Sequence, residues 1–228
     1  MSPRRVVKKA IEKRLDMIAI CDHNSAENVA AAQQCATGTA LAVLGGIEVM
    51  SAEEVHVTAL FDRARDLLRL QRLVYERLPD ALNRADVFGE QIIANQGDEV
   101  VGYNKRMLIG ATTVTLEDLV DRIHQFGGLA IASHVDRESF GIIGTLGFIP
   151  PGLRLDAVEI SSHIGRAEAL RRFPELAAFP VVSSSDAHYL DDIGKRTTGY
   201  LLESPTVQEL MLALTNREGR QVALDEKV

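Results

Sequence analysis

The sequence predicts an α/β protein built on one parallel sheet or barrel. Short apolar runs alternate with amphipathic or charged segments along its 228 residues, a pattern typical of parallel strands joined by right-handed helical crossovers. The length suits a single α/β barrel of roughly 200–250 residues. Polar residues follow most of the apolar runs, at the strand ends where such folds carry their chemistry. We therefore expect one domain over residues 1–228.

The N-terminal part predicts two helices and three strands. A helix begins at Ser2-Pro3, because proline is favoured at the first helical position. The apolar run at 17–21 is long enough for a buried strand, and a helix capped by Ser25 follows over 25–36. Two further strands are predicted at 41–50 and 54–61.

The middle of the chain combines two helical regions with an irregular one. The charged, leucine-rich segment 62–85 predicts one long helix or two. Residues 87–111 have no clean period, which indicates a loop-rich insertion with short β pieces. Thr115 and Asp118 have the spacing of a capping box for a helix that ends at Phe126, before two glycines.

The C-terminal part returns to alternating strands and helices. A short helix is expected at 166–172, and Ser204-Pro205 begins a final helix. Strands are predicted at 129–133, 156–161, 181–184 and 198–202.

Residues that commonly bind metal ions follow these strands. One histidine at a strand end is usually structural, but a set of such residues predicts a metal site for Zn²⁺, Mn²⁺ or Fe²⁺. Metal-bound water in such a site becomes a nucleophile near neutral pH. Of the remaining histidines, His124 lies in a predicted helix and His163 is a weaker candidate. The strand-end set is Asp22, His23, Glu48, His56, His134, Asp186 and His188.

Charge and composition restrict the partners that the sequence predicts. Lys+Arg number 25 and Asp+Glu 32, a net charge of −7, whereas nucleic-acid binding usually needs a basic face. We therefore expect no nucleic-acid partner, although a metal cluster can attract a small anionic substrate. No apolar run approaches the ~18 residues of a membrane span. Cys21 and Cys35 make no disulfide framework, which favours the cytoplasm. The oligomeric state stays open.

Five motifs occur in the order found in a known family. They are Cys21-Asp22-His23-Asn24, Gly46-Ile47-Glu48-Val49, Glu54-Val55-His56-Val57, Ala132-Ser133-His134 and Ser184-Ser185-Asp186-Ala187-His188. Together they resemble the PHP family, the polymerase and histidinol phosphatase domain. The resemblance implies a distorted seven-stranded (β/α) barrel that hydrolyses phosphate esters with one to three divalent metal ions. The implied substrate is a small phosphorylated metabolite or nucleotide.

The resemblance also implies roles for the first strand-end residues. Glu48 would be the bridging carboxylate, and His56 and His134 would complete one metal site with it. Asp22 would ligate a metal or orient His23, since a ligating histidine commonly has a carboxylate support. We accordingly expect Asp22 and Glu48 to be the catalytic residues.

The last motif and nearby cations complete the implied site. Asp186 would hold a second metal with the bridging carboxylate, and His188 would hold a third with the histidine of the first motif. Phosphate binding needs cations close to the metals. Arg137, three residues beyond the histidine of the fourth motif, is the first candidate, followed by Lys105 and Arg106 in the insertion.

One departure from the family pattern leaves alternatives open. Family members begin with a strand ending in His-x-His, and the sequence has no such motif. The resemblance then implies a barrel without its first strand and up to three ligands. Either the start site is placed too late, which we favour, or hydrolysis has been lost and a remnant binds metal or a phosphorylated ligand as a sensor or assembly partner. A hydrolase of amidohydrolase type is a third alternative.

Overall fold

The computed structural model describes residues 1–223 as alternating helices and strands. Two short 3-10 helices, Pro174–Ala178 and Leu190–Asp192, lie between the later elements. The α-helices are α1 (Pro3–Glu12), α2 (Val29–Ala36), α3 (Ala64–Arg77), α4 (Ala85–Phe88), α5 (Leu116–Gln125), α6 (Ile142–Leu146), α7 (Arg166–Arg172) and α8 (Val207–Leu214). The strands are β1 (Met17–Ile20), β2 (Ala42–Met50), β3 (His56–Phe61), β4 (Ile92–Ala94), β5 (Val100–Tyr103), β6 (Leu129–Ala132), β7 (Ala157–Ile160), β8 (Val181–Ser183), β9 (Gly199–Leu201) and β10 (Gln221–Ala223).

Six strands form the main sheet in the order β1-β2-β3-β6-β7-β8. Residues of both outer strands, β1 and β8, line one cavity of about 540 Å³, so the sheet curls around it. The predicted α/β class is therefore confirmed, with six main-sheet strands among residues 1–223. β4 pairs with β5, and β9 with β10, in two separate hairpins.

The direction of β3 corrects the expectation of a wholly parallel sheet. β3 is antiparallel to both β2 and β6, whereas the other neighbours in the main sheet are parallel. The reason is the short connection from β2, where Ser51 donates its N–H to Val55 O at 2.9 Å. A turn of this length joins antiparallel strands, because a parallel crossover needs a dozen or more residues.

The sheet buries each of its faces in a separate apolar cluster. The outer face packs Ile47 and Val158 against α3 and α5. The inner face packs Leu60 and Val182 with Leu210 of α8. Burial of each such side chain stabilises the fold by roughly 1.5–3 kcal/mol. Strand residues alternate between the two faces. The polar side chains at the strand ends of the inner face therefore lie next to the apolar cluster of that face.

Several predicted boundaries are confirmed. Thr115 accepts a hydrogen bond from Asp118 N at 3.3 Å at the start of α5, as the capping-box spacing predicts. α7 covers 166–172 as expected. The predicted insertion at 87–111 contains the β4–β5 hairpin. No helix within residues 1–223 has the length and apolarity needed to cross a membrane.

Other predictions of helix limits are wrong for local reasons. Within the segment predicted as helical over 62–85, α3 ends at Arg77, since Leu78 precedes Pro79 and is extended, and the next helix begins only at Ala85. Ser25 does not cap α2, which begins after Asn28; its hydroxyl lies 3.1 Å from Tyr75 Oη instead.

The C-terminal elements also differ from the prediction. The last helix, α8, begins after Thr206, whose side chain accepts from Glu209 N at 3.2 Å, and not at Ser204-Pro205. The segment predicted at 198–202 forms β9, which lies outside the main sheet because it pairs with the unpredicted β10.

Candidate metal centre

Glu48 stands at the centre of three imidazole rings. Its Oε2 lies 3.0 Å from His23 Nδ1 and 3.5 Å from His56 Nδ1. Its Oε1 lies 3.6 Å from His134 Nε2. The structure therefore brings together four of the residues that the sequence predicts as metal ligands, all at the same end of the main sheet.

The strand register explains why these four side chains meet. His23 forms an isolated parallel bridge with Glu48, and Asn24 N donates to Glu48 O at 2.7 Å. On the other side, Glu48 is in register with Thr58, two residues beyond His56 on β3. The ligand-type residues of β1, β2 and β3 are thus fixed by backbone hydrogen bonds at the end of the sheet.

Two site residues adopt a backbone conformation that is uncommon for residues other than glycine. His134 has φ 32° and lies two residues after β6, and Asp186 has φ 42° and lies three residues after β8. Such conformations cost roughly 1–3 kcal/mol and cluster at functional sites. The surrounding hydrogen bonds hold them in place: Arg137 N donates to His134 O at 2.9 Å.

Burial and charge set the protonation of the centre. Burial acts to raise the pKa of Glu48, but the imidazoles of His134, His23 and His56 outweigh it and hold that pKa well below its usual range. Burial lowers the pKa of His56 to about 4, against the opposing effect of Glu48. An ionised carboxylate beside a neutral imidazole is the protonation state that metal coordination requires.

The donor set fits a metal ion. Ligand atoms of His23, Glu48 and His56 all lie within 4.8 Å of one another. His56 Nε2 and His134 Nδ1 are buried without a hydrogen-bond partner within residues 1–223. Buried polar atoms are nearly always satisfied in folded proteins, so these two imidazole nitrogens are the atoms that a bound metal ion would be expected to satisfy. Imidazole and carboxylate donors suit Zn²⁺, Mn²⁺ and Fe²⁺.

The remaining predicted ligands lie beside this cluster. The ring of His188 lies 6.2 Å from that of His23, and its Nδ1 lies 3.9 Å from Asp186 Oδ1. Asp22 accepts a hydrogen bond from Asn28 Nδ2 at 3.3 Å, and burial raises its pKa. These three residues line the same 540 Å³ cavity as Glu48.

The predicted phosphate-binding cations have other contacts. Arg137 Nη2 donates to Asp186 Oδ2 at 2.6 Å. The guanidinium of Arg106 lies 4.2 Å above the ring of Tyr75, in a separate surface pocket. Neither Lys105 nor Arg106 is among the residues that line the large cavity.

Three cavity residues were outside the predicted set. Glu159 on β7 accepts from Ser184 Oγ at 2.7 Å, and burial raises its pKa to about 7. The sequence feature that could have indicated Glu159 is a carboxylate in the middle of an apolar strand. Cys21 also lines the cavity, and burial raises the pKa of its thiol well above the usual value. Arg196 also lines the cavity, and its sequence position carries no signal.

Comparison with known proteins connects the chain to nucleases. No protein-family model matches it. The 5'-3' exoribonuclease Rnm of Salmonella typhimurium is 28% identical over 60% of this chain and 61% of the relative. The Escherichia coli Rnm is 27% identical with the same coverage. The chain spans 61% of the length of these curated relatives.

Solved structures share the fold. The lesion-specific endonuclease PfuEndoQ from Pyrococcus furiosus matches with a TM-score of 0.70 at 14% identity, over 97% of this chain and 53% of that chain. Endonuclease Q in complex with a 27-mer duplex matches with a TM-score of 0.67 at 13% identity, with the same coverage. A protein from Bifidobacterium adolescentis assigned as a metal-dependent phosphoesterase matches with a TM-score of 0.57 at 18% identity, over 98% of this chain and 92% of that chain.

These findings confirm one expectation and overturn another. The resemblance to the PHP family that the five motifs indicate is confirmed. The expectation of no nucleic-acid partner is contradicted, because a relative is an exoribonuclease and a solved structure with the same fold is an endonuclease in complex with a 27-mer duplex. The net charge of −7 is a sum over the whole chain, whereas a phosphate group interacts with the local field of a site.

Proposed function

We propose that the chain is a metal-dependent phosphoesterase that hydrolyses phosphodiester bonds of a nucleic acid. The observation that supports this most strongly is the buried Glu48 carboxylate, with three imidazole rings within 3.6 Å of its oxygens. The exoribonuclease and endonuclease relatives support the substrate class. That the substrate is a small phosphorylated metabolite, as expected from the sequence, stays a prediction, and the hydrolysis assay described below also tests it.

The proposed ligands are the residues that the sequence singled out. His23, Glu48, His56 and His134 would hold the first ion. Asp186 and His188 are the ligands proposed for further ions, one to three in all and of Zn, Mn or Fe. When bound, such ions polarise the phosphoryl oxygens and lower the pKa of bound water.

The chain's own residues would orient and protonate the reacting groups. The ionised Glu48 keeps the surrounding imidazoles turned toward it, so the ligand geometry exists before substrate arrives. Asn28 Nδ2 donates to the Asp22 carboxylate at 3.3 Å, and Glu48 Oε2, 3.0 Å from His23 Nδ1, orients that histidine. The raised pKa of Asp22 suits a group that exchanges a proton with the substrate.

We also propose a seventh strand between β1 and β8 in the complete barrel. Within residues 1–223 each of these strands pairs on one side only, and both border the large cavity. A strand there would run parallel to both and satisfy their free edge groups. The in-frame sequence upstream of Met1 tests this, since a strand-like run ending in His-x-His would supply it. The compartment we propose is the cytoplasm, where the unpaired Cys21 and Cys35 would stay reduced.

The experiment is a hydrolysis assay with defined metal content. Chelator-treated protein is reloaded with Mn²⁺ or Zn²⁺ and given 5'-labelled RNA, 5'-labelled DNA and a small phosphomonoester. We expect cleavage of an oligonucleotide that the chelator abolishes and the metal restores. Glu48→Gln should lose at least a hundredfold in rate, because the central charge of the ligand set is removed. His163→Asn, an exposed histidine outside the cluster, is the matched control.

Three results separate the alternatives. Hydrolysis of the phosphomonoester alone would support a small-metabolite substrate. Metal binding by calorimetry without hydrolysis, in this chain and in an upstream-extended chain, would support a non-catalytic remnant. Failure to bind either metal would overturn the proposed centre.

A further inference from the structure

We propose that Arg196 is the cation that binds the substrate phosphate in the cavity. This inference rests on the proposed phosphoesterase function and names the residue that recognises its substrate. Arg196 lines the same cavity as Glu48, Asp186 and His188. It is partly buried, on the segment between the 3-10 helix Leu190–Asp192 and β9.

Its ion pairing distinguishes Arg196 from the other cations near the site. Arg137 is paired with Asp186 at 2.6 Å, and Lys195 with Asp192 at 2.7 Å. Within residues 1–223, Arg196 has no carboxylate oxygen within 4.0 Å. One guanidinium nitrogen, Nη2, donates to Ile164 O at 3.1 Å. A guanidinium has five N–H donors in a planar fork, so most remain available to phosphate oxygens.

The segment that carries Arg196 is fixed to the last metal-ligand motif. Ser185 Oγ donates to Arg196 O at 3.0 Å and accepts from Gly194 N at 2.8 Å. Ser185 directly precedes Asp186, so these hydrogen bonds tie the backbone of Arg196 to the residue next to the proposed ligand. Together with the contact to Ile164 O, these bonds join the loops that follow β7 and β8. A pre-positioned guanidinium loses less entropy when it binds a phosphate.

The charge of the cavity also favours such a cation. Four carboxylate residues line it: Asp22, Glu48, Glu159 and Asp186. A phosphodiester entering this field would be repelled unless metal ions and a fixed cation offset the carboxylates. Arginine is the side chain best suited to this, because its fork matches two phosphate oxygens at once.

The test measures binding of inorganic phosphate, which does not depend on turnover. Mn²⁺-loaded protein freed of excess metal is titrated with phosphate by calorimetry. We expect Arg196→Gln to weaken phosphate binding by about ten- to a hundredfold, as the loss of hydrogen bonds to a charged group predicts. Arg196→Lys should bind phosphate with an affinity between those of the unsubstituted protein and Arg196→Gln, since lysine keeps the positive charge but lacks the planar set of N–H donors. Lys195→Gln, the paired neighbour, should bind phosphate like the unsubstituted protein.

The possible results decide the inference separately from the proposed function. Phosphate binding that is equal in Arg196→Gln and the unsubstituted protein would overturn it, as would no phosphate binding at all. Thermal unfolding of each variant shows whether it is folded. If Arg196→Gln is misfolded, phosphate binding by Arg196→Lys is compared with that of the unsubstituted protein instead. If the protein hydrolyses an oligonucleotide, Arg196→Gln should raise KM more than it lowers kcat. If hydrolysis is absent but phosphate binding depends on Arg196, the inference stands and the catalytic proposal fails.

Discussion

Arg137 and Asp186 form a partly buried ion pair that joins the loops after β6 and β8, with Nη2 2.6 Å from Oδ2. The sequence indicated both residues, one as a phosphate ligand and the other as a metal ligand. Each is the charged partner of the other. A metal ion bound by Asp186 would offset the same carboxylate charge that Arg137 now offsets.

Substitution of Arg137 should therefore destabilise the metal-free protein and be compensated by metal. We expect Arg137→Gln to lower the free energy of unfolding by about 1–3 kcal/mol, because it leaves Asp186 without its partner. Added Mn²⁺ should recover most of this loss. Urea denaturation with and without Mn²⁺ measures both effects. Arg154→Gln is the matched control, since the Arg154–Asp121 pair has the same 2.6 Å distance but is exposed, and exposed pairs contribute little to stability.

The burial of His56 should make the metal-free protein less stable in mild acid. Its pKa is lowered from 6.5 to about 4, so between these values the unfolded chain binds a proton that the native state does not. Stability then falls as pH decreases from about 6.5 to about 4, by up to about 3 kcal/mol from this group. His56→Gln should show a smaller fall over that range than the unsubstituted protein. Chemical denaturation in chelator at several pH values gives the difference.

Glu159 titrates over much of the same pH range with the opposite effect on stability, so the difference between His56→Gln and the unsubstituted protein is what reports on His56. Two further groups titrate largely outside this range. The contact with Glu48 raises the pKa of His23, so its stabilising contribution is lost at pH values above the His56 range. The lowered pKa of Glu48 makes a contribution that is lost only below 4.5. An identical pH dependence in His56→Gln and the unsubstituted protein would show that His56 is not the titrating group.

Glu159 should lower the stability of the protein as pH rises, the opposite of the effect of His56. Its pKa is raised from 4.5 to about 7, chiefly by burial, so above that pH the native state must hold a buried charge. This corresponds to a cost of about 3 kcal/mol that grows between about pH 4.5 and 7. Glu159→Gln keeps an acceptor for Ser184 and removes the charge, so the metal-free variant should become the more stable protein above pH 7. Glu90→Gln, at an exposed position, should show no such gain.

The site was predictable from the sequence because it depends on local order along strands. His23 and Glu48 lie at the ends of apolar runs, and the parallel strands β1 and β2 bring these ends to one edge. His56 begins β3 and reaches the same edge because that strand runs in the opposite direction. β3 shows the limit of this reasoning, since the alternation of residues does not encode pairing direction. Only the short turn from Ser51 to Val55 decides that β3 is antiparallel.

The contacts that the sequence could not supply are those between distant loops. The partner of Arg137 lies 49 positions away at Asp186, and no local pattern records such a pairing. Arg196 enters the cavity because Ser185 binds its backbone, a tertiary contact without periodicity. Charge summed along the chain was equally uninformative about nucleic acid, because phosphate recognition depends on a few placed groups.

The ring of Phe140 should support metal binding through His56. The two rings stack at 4.8 Å with an angle of 5°, and His56 N donates to Phe140 O at 2.9 Å. Phe140→Leu removes the stacked ring and frees the imidazole to rotate, so we expect about tenfold weaker Zn²⁺ binding, the usual effect of losing a support for a ligand. Because Phe140 is 40% exposed, the unfolding midpoint of the metal-free protein should change little. Zinc titration against a competing chelator measures the affinity, with Phe148→Leu as a control at a ring that is 55% exposed. Equal zinc affinity in Phe140→Leu and the unsubstituted protein would show that the backbone of β3 alone orients His56.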